Sequence, residues 1–99
     1  LAGTYIGDDV TIGHLCMIHA CTIGDMAFIG MGSIIMDEAV VEDKAMLAAG
    51  SLLTPKKSVP TGELWAGRPA KFMRKLTEED HKHFAWSANH YVKLSDHYK

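Results

Sequence analysis

Two histidines near the start of the chain have the residue type and the spacing to take part in a metal site. His14 and His19 are five residues apart, and imidazole is the most common metal ligand among the side chains. A structural zinc site takes four protein ligands, whereas a catalytic site takes about three together with a water molecule. The two histidines are therefore only part of a site, and a further ligand must come from elsewhere. On spacing alone, surface histidines that bind no metal are an equal alternative.

The other four histidines lie toward the end of the chain and predict no site. His81 and His83 are two residues apart on a predicted helix and so do not face each other. His90 and His97 lie among lysines and acidic residues, and we interpret all four as solvated. Asn89 is a candidate substrate-orienting residue, because a short amide can hydrogen-bond a small molecule. The alternative for Asn89 is an exposed polar residue of the helix.

A six-residue repeat must position His14 and His19. Its aliphatic members divide the first half of the chain into eight steps, of which seven are six residues long. The five-residue step runs from Ile18 to Ile23 and contains His19, which takes the place that glycine holds after most neighbouring members. A repeat that departs from its rule often does so at a functional position. The aliphatic members are Ile6, Ile12, Ile18, Ile23, Ile29, Ile35, Val41, Leu47 and Leu53.

This period predicts a left-handed parallel β-helix over residues 1–54. Six residues suit one short strand and one tight corner, so three repeats make a coil of about 18 residues. Each aliphatic side chain should point inward and stack on its equivalent one coil away, at about 4.8 Å. We expect the glycine that follows it, as at Gly13 and Gly30, to ease the backbone through the corner. Small residues four positions after the aliphatic member, such as Ala39 and Ser51, should complete the repeat.

The remainder of the chain predicts a connector and a terminal helix. The aliphatic pattern stops after Leu53, and residues 55–76 carry all three prolines, which is typical of a connector that folds back over the β-helix. Thr77 is a good N-cap and is followed by acidic residues that the helix dipole favours, so we expect an α-helix over residues 77–99. One face of this helix is apolar and requires a partner surface. That face consists of Phe84, Ala88, Tyr91 and Val92.

Length and composition limit the classes of function. The 99 residues suit a single domain, and its 10 basic and 12 acidic side chains form no basic stripe for nucleic acid or an anionic membrane. No apolar run reaches the roughly 18 residues of a membrane span. We expect a cytoplasmic protein in which Cys16 and Cys21 are small, buried, reduced thiols. The ladder also has fewer coils than a solenoid usually needs, so coils are expected to be missing upstream.

Three segments around the histidines resemble the metal-site region of the gamma-class carbonic anhydrase family. They are residues 10–14 (Val-Thr-Ile-Gly-His), 17–24 (Met-Ile-His-Ala-Cys-Thr-Ile-Gly) and 28–33 (Phe-Ile-Gly-Met-Gly-Ser). Residues 65–71 (Trp-Ala-Gly-Arg-Pro-Ala-Lys) are similar to the segment that leaves the β-helix in this family, and residues 86–91 (Trp-Ser-Ala-Asn-His-Tyr) to its terminal helix. The likeness covers essentially the whole chain, although the connector motif also occurs in hexapeptide acyltransferases.

The resemblance implies a homotrimer with a divalent metal, zinc or sometimes iron or cobalt, at each subunit interface. In the family three histidines hold each metal. Two of them match His14 and His19, which would then serve different metals, and the third lies further upstream, outside this chain. The implied activity is metal-hydroxide-assisted, reversible hydration of carbon dioxide, with Asn89 a candidate for lining the pocket. A complete active site cannot be built from this chain, and metal ligands alone do not make an enzyme.

Two other functions share the predicted fold. A hexapeptide acyltransferase would use one histidine as general base for transfer from acyl-CoA between subunits, whereas this chain has two histidines beside the irregular step. A non-catalytic trimeric scaffold would keep the histidines for metal-linked stability. Bound metal, affinity for coenzyme A and carbon dioxide hydration would distinguish the three functions.

Overall fold

The computed structural model describes residues 3–83, in which short β-strands wind into a solenoid. Strands β1 to β10 have two residues each, whereas β11 has five and β12 has six. Side chains alternate along a strand, so the first residue of each short strand points outward when the second points into the interior. The strands are β1 (Tyr5–Ile6), β2 (Thr11–Ile12), β3 (Met17–Ile18), β4 (Thr22–Ile23), β5 (Phe28–Ile29), β6 (Ile34–Ile35), β7 (Val40–Val41), β8 (Met46–Leu47), β9 (Leu52–Leu53), β10 (Ser58–Val59), β11 (Glu63–Gly67) and β12 (Ala70–Lys75).

Three strands make one coil, and the strands of successive coils pair in parallel to form three walls. Wall A contains β1, β4, β7 and β10, wall B contains β2, β5, β8 and β11, and wall C contains β3, β6 and β9. Strand β12 joins wall B as the antiparallel partner of β11. This arrangement confirms the predicted fold, a left-handed parallel β-helix of about three coils.

The predicted aliphatic ladder forms the interior of the β-helix. From Ile23 onward its members are at most 1% exposed, and they stack on their equivalents in adjacent coils, as Ile23 does on Val41. Complete burial of one such side chain stabilises the fold by about 1.5–3 kcal/mol. The first three members are less buried: Ile6 is 45% exposed, and Ile12 and Ile18 are half-buried. Five small residues of the repeat are also buried, Ala27, Ser33, Ala39, Ala45 and Ser51, whereas Val10 and Cys16 at the equivalent positions are half-buried.

The ladder continues one step beyond its predicted end. Val59 is fully buried, and β10 pairs with β7 so that Val59 lies beside Val41. The prediction that the pattern stops at Leu53 is therefore wrong. Pro55 and Pro60 lie at the corners that flank β10. Because β10 is the last strand of wall A, no further coil of that wall could accept a hydrogen bond from residue 60, so proline is tolerated there. The start of the predicted connector thus belongs to the β-helix, and its remainder forms the β11–β12 hairpin on wall B.

The glycines of the repeat differ in role from the prediction. Gly13 and Gly30 do not have positive φ; instead, a Cβ atom on Gly30 would collide with the backbone of Ala49 on the next coil. Glycine is required at these positions because the backbones of adjacent coils approach closely. The left-handed backbone conformation falls on other corner residues, including Leu15 with φ 60° and Ala20 with φ 48°.

Helix α1 begins at residue 78, and its described part covers residues 78–83. Asp80 N–H donates to Thr77 Oγ1 at 3.2 Å, and Thr77 N–H donates to Asp80 Oδ2 at 2.8 Å. This reciprocal capping box confirms the predicted start of the helix. The Arg74 guanidinium, 2.9 Å from Asp80 Oδ2, holds the pKa of Asp80 well below its usual range. The predicted apolar face lies outside the described residues. Within residues 3–83 no helix is long and apolar enough to cross a membrane.

Candidate functional site

The two candidate metal ligands lie at the two edges of wall C. His14 follows β2 and begins the turn from wall B to wall C, whereas His19 follows β3 at the corner between walls C and A. Both histidines are exposed. Because an entire wall separates their corners, the side chains belong to two different surfaces of the chain.

His19 is held by a carboxylate from the next coil. Its Nδ1 lies 2.6 Å from Asp37 Oδ1, although both side chains are more than half exposed. An ionised carboxylate can only accept a hydrogen bond, so the imidazole Nδ1–H donates, and in the neutral imidazole the lone pair is then on Nε2. Metal-binding histidines commonly have their other ring nitrogen bound to a carboxylate in this way, because the contact fixes the tautomer and the ring orientation. The pair therefore presents Nε2 in the form that a metal ion requires.

The five-residue step brings Asp37 to His19. Between β3 and β6, residues pair at a separation of 17, as Ile18 does with Ile35, whereas His19 and Asp37 are 18 residues apart. The corner that follows Ile18 is one residue shorter than the corner that follows Ile35, so these two non-equivalent positions meet. Asp37 was missed by sequence reasoning. The irregular step was the available signal, but it was interpreted only for His19.

His14 lines a groove of about 230 Å³ on wall B that is mostly apolar. Among the described residues that line the groove, no side chain carries a formal charge unless His14 is protonated. Apart from His14, its polar side chain is Thr11, whose hydroxyl is buried and has no hydrogen-bond partner. Sequence reasoning also missed Thr11, because a threonine at the outward position of a strand predicts no burial. The residues that shape the groove include Thr11, His14, Phe28, Met31, Met46 and Ala49.

Exposed apolar side chains surround the two histidines. Leu15, directly after His14, is 93% exposed, and Met17, on the outer face of wall C, is 65% exposed. Met31 and Met36, which also lie at the two edges of wall C, are 58% and 38% exposed. Contiguous exposed apolar surface commonly marks a site of protein–protein contact. Wall C and its edges therefore have the composition of an interaction surface.

The two cysteines do not complete a site. Both are free thiols; Cys21 is buried as predicted, whereas Cys16 is half-buried and donates to the carbonyl oxygen of Gly30 at 3.2 Å. Burial raises the pKa of the Cys21 thiol, and the charge of Asp37 acts in the same direction. A raised pKa favours the protonated form, which is a poor metal ligand.

The described residues do not contain a complete metal site. Within residues 3–83 no group of three histidine, cysteine or acidic side chains could hold a metal ion. His81 lines a separate groove of about 440 Å³ with Lys44 and Glu78, so it is not combined with His14. Asn89 lies outside the described residues, and its predicted role stays a prediction. Histidine is a suitable ligand type for a catalytic metal, but such a site needs about three protein ligands, so at least one ligand besides His14 and His19 is required.

The chain is similar to carbonic anhydrases, but it spans only part of their length. Gamma carbonic anhydrase 2, a mitochondrial protein of Arabidopsis thaliana, is 52% identical over 92 residues, which are 93% of this chain and 33% of that protein. A carbonic anhydrase of Geobacillus kaustophilus is 43% identical over 94 residues, which are 95% of this chain and 52% of that protein. The chain therefore spans about a third to a half of the length of these relatives. No family model matches the chain.

A solved structure has the same fold at high sequence identity. A hexapeptide transferase family protein from Anaplasma phagocytophilum matches with a TM-score of 0.85 and 54% identity, over 97% of this chain and 62% of that one. Similarity at this level supports the architecture of the β-helix independently of the carbonic anhydrases. The description of that protein names a transferase rather than a carbonic anhydrase, and fold alone does not distinguish the two activities.

Proposed function

Because this chain is a homologue of gamma carbonic anhydrases over nearly its whole length, we propose that the full-length protein catalyses the reversible hydration of carbon dioxide with a bound divalent metal. Zinc is the proposed metal, and iron or cobalt would suit the same nitrogen ligands less commonly. A cytoplasmic location is part of this proposal.

The contact between His19 and Asp37 is the observation that carries the proposal. An exposed imidazole loses side-chain freedom when a carboxylate holds it, and an exposed pair of this kind contributes little to stability. The same contact is useful to a metal site, because it leaves Nε2 as the donor atom and fixes the orientation of the ring. His19 is therefore proposed as one metal ligand and Asp37 as the residue that positions it.

His14 is proposed as a ligand of a second, equivalent metal. Its corner is one wall away from that of His19, so each metal would take His14 from one protomer and His19 from a neighbour. The third ligand would come from a part of the protein outside this chain. A homotrimer meets these requirements, since cyclic symmetry repeats the same interface three times. The exposed apolar side chains between the histidines, Leu15 and Met17 among them, support burial of this surface by a second copy.

The residues of this chain would bind the metal and orient the substrate. A bound metal would supply the Lewis acidity that makes water nucleophilic near neutral pH. Asp37 would keep the proton of His19 on Nδ1. The apolar groove at His14 would admit carbon dioxide, which is nonpolar. Asn89 is proposed to orient the substrate through its amide.

A hexapeptide acyltransferase is the second candidate, because the Anaplasma structure described as a hexapeptide transferase is 54% identical to this chain. In that case a single histidine would act as general base and the protein would bind coenzyme A. The contact between His19 and Asp37 does not by itself distinguish a thioester substrate from carbon dioxide. Loss of activity on substitution of either His14 or His19 would favour the metal enzyme.

The experiment is a carbon dioxide hydration assay on the zinc-loaded, full-length protein. We expect a rate above the buffer reaction that is lost in His14→Ala and in His19→Ala, because three protein ligands are needed to hold a catalytic zinc. His83→Ala is the matched control and should keep the parent rate, since His83 is exposed on α1. Background hydration in the parent protein, together with saturable binding of coenzyme A, would replace the proposal by acyl transfer.

A further inference from the structure

Two threonines occupy equivalent positions in the repeat but have different surroundings. Thr11 begins β2 and Thr22 begins β4, and each is followed by an isoleucine of the ladder. Both side chains should therefore point out of the β-helix. Thr22 is exposed, so its hydroxyl can hydrogen-bond water, whereas Thr11 is only 1% exposed.

The hydroxyl of Thr11 is unsatisfied although it is buried. It is the only buried side-chain oxygen or nitrogen among residues 3–83 that lacks a hydrogen-bond partner. The other buried hydroxyls are paired: Ser33 Oγ donates to the carbonyl oxygen of Ala48 at 3.0 Å, and Ser51 Oγ accepts from Gly67 N–H at 3.3 Å. A buried hydroxyl without a partner destabilises the fold. Such a group in a native structure requires an explanation, and a ligand that completes its hydrogen bonds is one.

The position of Thr11 indicates where that ligand binds. Thr11 and His14 line the same groove of about 230 Å³. The groove has room for a small molecule together with some water. A mostly apolar groove with a few convergent polar groups is typical of a small-molecule site, in which the polar groups fix orientation.

We propose that the Thr11 hydroxyl is a substrate-binding group that holds bicarbonate in the groove beside His14. The inference rests on the proposed function and adds the residue that orients the substrate of the dehydration direction. A hydroxyl donates one hydrogen bond and accepts others. Bicarbonate matches it, because its negative oxygens accept and its own O–H donates. Among the described residues of the groove no acidic side chain would repel the anion.

The test uses three variants of the full-length, zinc-loaded protein. Thr11→Val removes the hydroxyl and keeps the branched shape, Thr11→Ser keeps the hydroxyl, and Thr22→Val is the matched control at the exposed equivalent position. Binding of ¹³C-labelled bicarbonate at pH 8 is measured by NMR line broadening, and the melting temperature is measured without bicarbonate.

We expect the Kd for bicarbonate to rise about tenfold in Thr11→Val, the size typical of one lost hydrogen bond to an ion. Thr11→Ser and Thr22→Val should stay within about twofold of the parent. The KM for bicarbonate dehydration should rise with the Kd while kcat changes little, because a binding contact is removed. The melting temperature of Thr11→Val should be equal to or above that of the parent, since an unsatisfied buried hydroxyl has been removed.

Unchanged bicarbonate affinity in Thr11→Val would overturn the inference. So would a clear fall in its melting temperature that Thr11→Ser restores, because the hydroxyl would then be structural. The proposed function fails separately. A parent protein that neither binds zinc nor hydrates carbon dioxide, but binds bicarbonate in a Thr11-dependent manner, would keep the subsite and remove the activity.

Discussion

The corner between walls C and A occurs in three successive coils, and the first copy is one residue shorter than the other two. The first copy joins Ile18 to Ile23 in five residues, and the second joins Ile35 to Val41 in six. The ladder pairs in register on both sides of the corner, so the shortening does not disturb the core. The shortening by one residue changes only the surface part of the corner, where His19 lies.

The difference between these corners shows how an interruption of a repeat can place a functional group. In the longer corner two residues, Met36 and Asp37, precede the residue with left-handed backbone, Glu38. In the shorter corner only His19 precedes Ala20, which has the left-handed conformation. His19 alone therefore occupies the place of two residues of the next coil, and its ring meets the carboxylate of the second. A perfect repeat would place it over Met36.

Lengthening the short corner should have the largest effect on metal binding. Insertion of one glycine between His19 and Ala20 restores six residues, so His19 should lose its contact with Asp37. We expect zinc affinity to fall by more than about 100-fold, because the ligand itself is displaced. The measurement is zinc titration of the full-length protein against a chelating dye.

A matched insertion separates this effect from damage to the fold. One glycine inserted between Asp8 and Asp9 lengthens the corner between walls A and B instead. That variant should lose stability and keep its zinc affinity. Equal loss of zinc affinity in both insertions would show that the metal site responds to general distortion and that the short corner has no specific role.

Removing the charge of Asp37 should have a smaller effect. Asp37→Asn keeps the size of the side chain but no longer fixes the tautomer of His19, so zinc affinity should fall by about 10- to 100-fold, as is usual for such partners. Asp9→Asn is the control. Asp9 is an exposed corner residue with a left-handed backbone conformation, and asparagine also tolerates this conformation. Isothermal titration with zinc checks both. An unchanged zinc affinity in Asp37→Asn would show that Asp37 does not position His19 for metal binding.

The smallest effect on zinc binding is expected from a substitution at α1. Such a variant tests whether zinc affinity depends only on residues near the short corner. Asp80 closes the capping box with Thr77, so Asp80→Asn should destabilise the start of the helix by about 0.5–1 kcal/mol at pH 7. Zinc affinity should not change. Hydrogen exchange of the amides at residues 78–83 measures the loss of helix stability. Faster exchange accompanied by a lower zinc affinity would show that the helix and the metal site are not independent.

The same contact has a predicted pH dependence. The pKa of Asp80 is lowered mainly by Arg74, so the carboxylate stabilises the folded state fully above its unfolded pKa of about 3.9. This stabilisation is lost as the pH falls through the lower, folded-state pKa. Protection of residues 78–83 should therefore decline below about pH 4 in the parent and be less pH-dependent in Asp80→Asn. An identical pH profile in both would exclude Asp80 as the group that titrates.

The sequence was sufficient for features that depend on neighbouring residues along the chain. The ladder follows from a period of six, and the start of α1 follows from the local pattern at Thr77. The ladder member Val59 was missed because two flanking prolines resemble a connector, although corners tolerate them. The role of Gly30 was missed because close approach to Ala49 depends on the next coil.

Features that depend on contact between coils could not be predicted from the pattern alone. Asp37 meets His19 only because the short corner shifts the register by one residue. Thr11 and Thr22 have the same position in the repeat, and only the fold shows that one hydroxyl is buried and the other exposed. In each case the deciding contact joins residues that are far apart in sequence.

The most direct test of the central claim is the metal content of the purified full-length protein, measured by elemental analysis beside a His14→Ala, His19→Ala double variant. We expect about one zinc per chain in the parent, corresponding to one interfacial site per protomer, and none in the double variant. A parent protein without metal, or a double variant that keeps it, would contradict the assignment of these two histidines.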